Sequence, residues 1–348
     1  MKKPWIVLAA LALAVGSRPL AADGVERTTT VSLAGVYYFG YQEGYDVDGR
    51  FSPPSSDVVP KEELAHDPDD PGRDIGYGWG SMGFMARLAH SIRRPFLVGS
   101  GPLLEGNSLV LDLSCELSPI TIAAAAEAVL TPAAFVKIAA GASAGTGWSV
   151  GASNGLGRNL PGLEHDEIER EPLSGLVLSG WLSTTLQFDF AALWPGEWHH
   201  VVVAAGPKLE YRAFTNADSD TAWEWQEDHG ENFNGWRLAT SAFVGYRMPV
   251  RVDTAGLLVS TVQYLGRVRD RSPMDDAGGW GSDFVRVTIA PMAALAVSER
   301  ARVTTILQLQ TEPDYTDGTI GNRYFELRDY DGWYLYARRL VVSFGWRL

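Results

Sequence analysis

GWRLATSAFVGYRM, residues 235–248, is the stretch from which the fold can be read. Trp236, Leu238, Thr240, Ala242, Val244, Tyr246 and Met248 alternate with Arg237, Ala239, Ser241, Phe243, Gly245 and Arg247. A period of two puts these sets on opposite faces of a β-strand. One face carries an aromatic residue near each end, the other an arginine near each end. The stretch is too polar for a membrane helix and shows no helical stripe. From Trp236 to Tyr246 the strand covers roughly 33 Å at about 3.3 Å per residue. Tilted by about 40°, it rises about 25 Å, the height of the apolar band on a transmembrane barrel with aromatic girdles at its rims. On this reading the Trp236 face meets lipid and the Arg237 face meets a lumen.

The same alternation recurs along the chain. In 199–213, Val201, Val203, Ala205, Leu209 and Tyr211 oppose Lys208, Glu210 and Arg212. In 107–117, Leu109, Leu111, Leu113, Cys115 and Leu117 oppose Ser108, Asp112, Ser114 and Glu116. Twelve strands are predicted: 27–41, 77–91, 107–117, 119–130, 133–145, 174–190, 198–213, 233–248, 253–268, 283–297, 300–311 and 332–347, with ten and fourteen as neighbouring counts. Segment 119–130 is mostly alanine, and Pro291 is unexpected inside a strand.

The connections sort by parity. The odd-numbered ones, 42–76, 146–173, 214–232, 269–282 and 312–331, are long, with the Leu117–Pro119 turn the exception. The even-numbered ones are mostly short. A water-soluble sandwich has no reason to gather its long loops at one end, whereas an outer-membrane barrel has long external loops and short periplasmic turns. Most of the 42 acidic residues lie in the long connections, which solvation explains.

The ends of the chain add to this. Lys2 and Lys3 precede an apolar run from Trp5 to Val15, followed by small residues, which predicts a signal peptide over 1–22 and a barrel over 23–348. The single cysteine, Cys115, excludes an intrachain disulfide framework and a cysteine-rich metal site. A net charge of −13 argues against a nucleic-acid partner.

Over its mature length the chain resembles bacterial outer-membrane β-barrel proteins, a porin-like class. The resemblance rests on the leader, the alternating strands and the final segment Leu340-Val341-Val342-Ser343-Phe344-Gly345-Trp346, whose Phe344 and Trp346 look like the alternating aromatics of an assembly signal. Arg347 and Leu348 follow, where the class pattern ends on the aromatic. The resemblance implies an all-β antiparallel transmembrane barrel, residence in the outer membrane after Sec-dependent export, and partnership with outer-membrane lipid and the barrel-assembly machinery. It implies no substrate and leaves the oligomeric state open.

The predicted lumen lining comprises the acids Asp112, Glu116, Glu127 and Asp189 and the bases Arg212, Arg237, Arg247, Arg267, Arg286, Arg302 and Arg339. Lys137 and Lys208–Glu210 blur an otherwise simple division into an acidic wall on strands three to six and a basic wall on strands seven to twelve. The girdle candidates are Trp236, Tyr246, Phe344 and Trp346. Arginine at mid-membrane costs about 2–4 kcal/mol on the lipid face, which assigns these bases inward. Basic rings favour anions, so the expected function is a narrow porin-like channel for small polar or anionic solutes. One alternative is a closed structural barrel whose acidic loops, 66–74, 218–231 and 275–283, bind ligands or calcium. Another is an outer-membrane hydrolase: Asp67/Asp69 and Glu227/His229 imitate an omptin spacing, with Glu in place of Asp in the second pair. Ser153-Asn154-Gly155 imitates a phospholipase run but has Gly151 where the base belongs, and reads as a flexible loop. His199-His200 reads as a poor chelate at a membrane rim, because adjacent strand residues face opposite sides. No catalytic residue, metal site or cofactor is assigned.

Overall fold

The computed structural model describes residues 24–39, 82–151, 153–159, 169–218, 221–226, 232–265, 284–315 and 330–348. Twelve strands close into one antiparallel barrel: β1 (Glu26–Tyr38), β2 (Met82–Pro95), β3 (Ser108–Leu117), β4 (Thr121–Ala133), β5 (Val136–Gly147), β6 (Val177–Asp189), β7 (His200–Phe214), β8 (Gly235–Arg247), β9 (Val252–Tyr264), β10 (Arg286–Ala296), β11 (Ala301–Tyr315) and β12 (Tyr330–Arg347). Each pairs with its sequence neighbour, and β1 pairs with β12 to close the ring, setting Leu33 opposite Phe344 and Val31 opposite Trp346. Closure leaves no free sheet edge. Both strand termini lie at the end that carries the short connections 134–135, 248–251 and 297–300. The long connections, with 118–120 as the short exception, gather at the other end.

The alternation explains which way each side chain points. Leu33, Phe84, Leu88, Leu182, Leu186, Trp236 and Val244 all point outward, at 48–59% exposure. Their strand neighbours Ser32, Arg87, Ser183 and Arg237 point inward. An apolar exterior running round the whole ring far exceeds the few hundred Å² that a monomeric soluble protein leaves in contact with water. Only hydrocarbon makes it stable. Pro291 sits in β10 where the ladder to β11 is interrupted between Ile289 and Met292, so its missing N–H removes no sheet bond on that side.

Candidate functional site

The interior is divided into two halves with different chemistry. On the β8–β12 and β1 side, inward-facing Val36, Phe243, Leu258, Ala290, Ile306 and Val341 pack into a buried apolar cluster, with Tyr38, Val202, Ala204 and Met292 against it. Phe243 lies flat over the wall at Gly245 and Gly256, where an added Cβ would meet its ring at 2.3 and 2.6 Å. Toward the loop end this cluster is followed by a buried polar layer. A β-bulge at Arg338 turns both Arg338 and Arg339 inward. Arg338 donates to Gln310, and Arg339 donates to Gln308 at 2.6 Å and to the Tyr38 hydroxyl at 3.3 Å.

The remaining lumen is open space, a cavity of about 980 Å³ that Ile306 and Val341 of the cluster also border. Its lining runs from Glu26, Arg93, Glu299, Arg300, Arg302 and Arg347 at the turn end up to Arg212, Arg237 and Trp225 near the loops. Its charges pair locally. Arg87 faces Glu116 at 3.7 Å, and Ser91 donates to Asp112. Trp181 donates its indole N–H to Glu127 at 2.6 Å, and its ring lies 4.8 Å below the Lys208 ammonium. Arg237 pairs with Glu210 at 2.6 Å, and Arg302 with Asp253.

Over β4 to β8 the loop end is covered by a folded cap. Residues 222–225 pair with 156–159, which pair with 169–170, and 149–150 pair with 153–154. Leu156, Phe214, Trp223 and Trp225 form its core with Val177 and Ala217; the first three are inaccessible to solvent. Asn234 ties the core together: its Oδ1 accepts from Phe214 N and the Trp223 indole, and its Nδ2 donates to the Phe214 and Ala217 carbonyls. Gly155 is obligatory, since a Cβ there would lie 1.9 Å from the Ile120 carbonyl oxygen. At the rim of the cap, Arg158 pairs with Glu169 at 2.6 Å and Glu171 at 2.7 Å. The Ser174 hydroxyl, and after it the Arg158 guanidinium, hold Glu171 below the usual carboxylate range. A depressed folded pKa adds stability above the unfolded glutamate pKa, and this is lost as pH falls through the lowered folded value. We expect an NMR titration of Glu171 to read a midpoint below that of an ordinary glutamate, and Ser174→Ala to raise it. An unmoved midpoint in the variant would remove the hydroxyl from this account.

Of the residues singled out from sequence, Arg212, Arg237, Arg302, Asp112, Glu116 and Glu127 line the cavity. Asp189 and Arg247 lie at the turn-end rim, 3.9 Å apart, with His200 on Asp189 at 2.7 Å. Arg339 is buried in the polar layer away from the cavity. Arg286 opens β10 opposite Val262 on the inward face. Arg267 lies outside the described residues, as do Asp67, Asp69, Glu227, His229 and acidic segments 66–74 and 275–283. The 218–231 segment is described only at 218 and 221–226.

The division into acidic and basic walls does not hold. Arg87 and Arg93 on β2 stand beside the acids and Glu210 among the bases; Arg87 faces Glu116 and Glu210 faces Arg237 across the ladder. Nor is Ser153-Asn154-Gly155 a flexible loop: Asn154 is 6% exposed and donates to Glu224 at 2.7 Å within the cap. Arg87 was readable from its strand, but Arg338 was not, because strict alternation places it outside. Trp236, Phe344 and Trp346 face outward at 40–50% exposure, and Tyr246 donates its hydroxyl to the Trp198 carbonyl at 2.7 Å.

A closed antiparallel barrel with an apolar exterior, a charged interior and long loops at one end defines a transmembrane β-barrel of the bacterial outer-membrane type. The chain is similar to the translocator domain of the autotransporter NalP from Neisseria meningitidis, with TM-score 0.39 and 9% identity, covering 99% of this chain and 95% of that one. It is also similar to OprB of Pseudomonas putida, with TM-score 0.33, 8% identity and coverage of 99% and 97%. A third likeness is the outer membrane channel DcaP of Acinetobacter baumannii, with TM-score 0.33, 9% identity and coverage of 95% and 99%. Overlaps this low carry no argument about strand number or function. No family model matches the sequence, and no curated protein does.

Proposed function

We propose that this barrel is a narrow channel for small polar solutes with a preference for anions. The observation that supports this reading is the cavity of about 980 Å³, which runs along the inner wall from the arginines of the turn end to Arg212 and Arg237. Arg93, Arg300, Arg302 and Arg347 outnumber Glu26, Glu299 and the Arg302 partner Asp253 at its turn-end mouth, which is periplasmic in this class of barrel. Guanidinium groups at a pore mouth raise the local concentration of anions. Phe243, Leu258 and Ala290, with the residues packed on them, fill the lumen beside β8–β10, while β11 and β12 still line the cavity through Arg302, Thr304 and Ser343. This filling keeps the route narrower than twelve strands would otherwise allow. Export through a cleaved leader over 1–22 and assembly through the β12 aromatics Phe344 and Trp346 belong to the same proposal.

A closed barrel is the second reading, and the cap packed over β4–β8 favours it. Single-channel recording of the refolded protein in a planar bilayer under a salt gradient separates the two. We expect stable openings with an anion-selective reversal potential, and a shift toward zero selectivity in Arg302→Ala. Silence from a barrel whose folding is verified by heat-modifiable migration would overturn the channel.

A further inference from the structure

At the loop end of the cavity, register sets Glu210 directly opposite Arg237. Lys208 and Arg212 flank Glu210 on the same face of β7, since residues two apart share a face. Lys208 lies 3.3 Å from Glu210, and Arg212 lies over the Trp223 ring. Three cations thus share a corner with Glu210 and with Glu127, which accepts from the Trp181 indole that lies under Lys208. Arg237 is only 2% exposed, yet its Nε and Nη1 have no hydrogen-bond partner among the described residues. Leaving such donors unmet in a buried place is costly, and an anion relieves it. The space they border is also lined by the Trp225 indole, whereas the Trp181 ring lies between Lys208 and Gly141.

We propose that this corner is a binding site for a small organic acid: its carboxylate takes the unmet N–H groups of Arg237, and a flat apolar body lies against Trp225. The site rests on the channel reading only for the ligand's route of entry. A hydrated tetrahedral anion would satisfy the arginine but make no use of the Trp225 indole. A neutral ring would do the reverse.

Calorimetric titration of the folded full chain in detergent tests this with three probes: benzoate, benzyl alcohol and inorganic phosphate. We expect saturable binding of benzoate, with benzyl alcohol and phosphate each at least about tenfold weaker. Arg237→Gln and Arg212→Gln should each weaken benzoate by about tenfold or more, while Arg251→Gln, on an exposed turn, leaves it unchanged. Equal binding of benzoate and benzyl alcohol would reduce the corner to an apolar pocket and overturn the proposal. So would phosphate matching benzoate, full retention in Arg237→Gln, or no binding at all. Should Arg237→Gln fail to fold, the three wild-type titrations still decide. Conductance without benzoate binding would sink the site and leave the channel standing; binding without conductance would do the opposite.

Discussion

Phe243→Ala is expected to lower the unfolding free energy of the barrel by about 3–5 kcal/mol, the usual loss for emptying a buried phenylalanine site. The argument is geometric. Phe243 faces inward, is 8% exposed, and packs with Val36, Leu258, Ala290, Ile306 and Val341. Its ring lies on Gly245 and Gly256, so nothing on the wall can collapse into the space it leaves. The cluster is shielded from water by its own packing, so the loss follows the same transfer and cavity terms as in a soluble core. Denaturant titration in lipid vesicles measures it. A change below about 1 kcal/mol would mean that water already fills this half of the lumen, since truncating a hydrated side chain costs little. The division of the interior would then be lost, and with it the narrowing of the solute path.

Trp223→Ala should release the cap without opening the barrel. Trp223 is wholly buried against Phe214, under Arg212, with its indole N–H on Asn234. Arg212 and Phe214 are the last inward residues of β7 and Asn234 precedes β8, so only the loop-end rungs of the ring's ladder are touched. Loss of roughly 3–5 kcal/mol of local stability raises the population of the open cap by at least about a hundredfold. Trypsin cleavage at Arg158 or Arg170 should accelerate to match, while heat-modifiable migration of the barrel is retained. Conductance should rise in the same variant, because the cap covers the wall above β4 to β8. Cleavage no faster than in the wild type would show that the cap is held by something other than its indole core.

These expectations separate what a linear reading reaches from what it cannot. Alternation along 235–248 and its counterparts is a local property, because successive strand residues face opposite sides whatever lies beyond them. The outward Trp236 face and the inward Arg237 face therefore follow from the chain alone, as does a count of about twelve strands. So does the segregation of long connections to one end, since antiparallel neighbours alternate ends. The Arg338 bulge escaped that reading because one extra residue reverses the parity of everything before it in the strand, and nothing local announces it. The cap escaped because its core joins Leu156 to Trp223 and Trp225, residues far apart in polar segments that have no periodicity to mark them. What shares the lumen is a matter of curvature and register round the whole ring. The sequence by itself determined an antiparallel barrel in lipid, of about twelve strands, and the facing of residues wherever alternation is unbroken. Only the tertiary structure decided that Phe243 packs dry beside β9–β12, that Arg339 is sealed behind Gln308, and that Arg237 borders open space, because inward-facing side chains from different strands meet only when the ring closes.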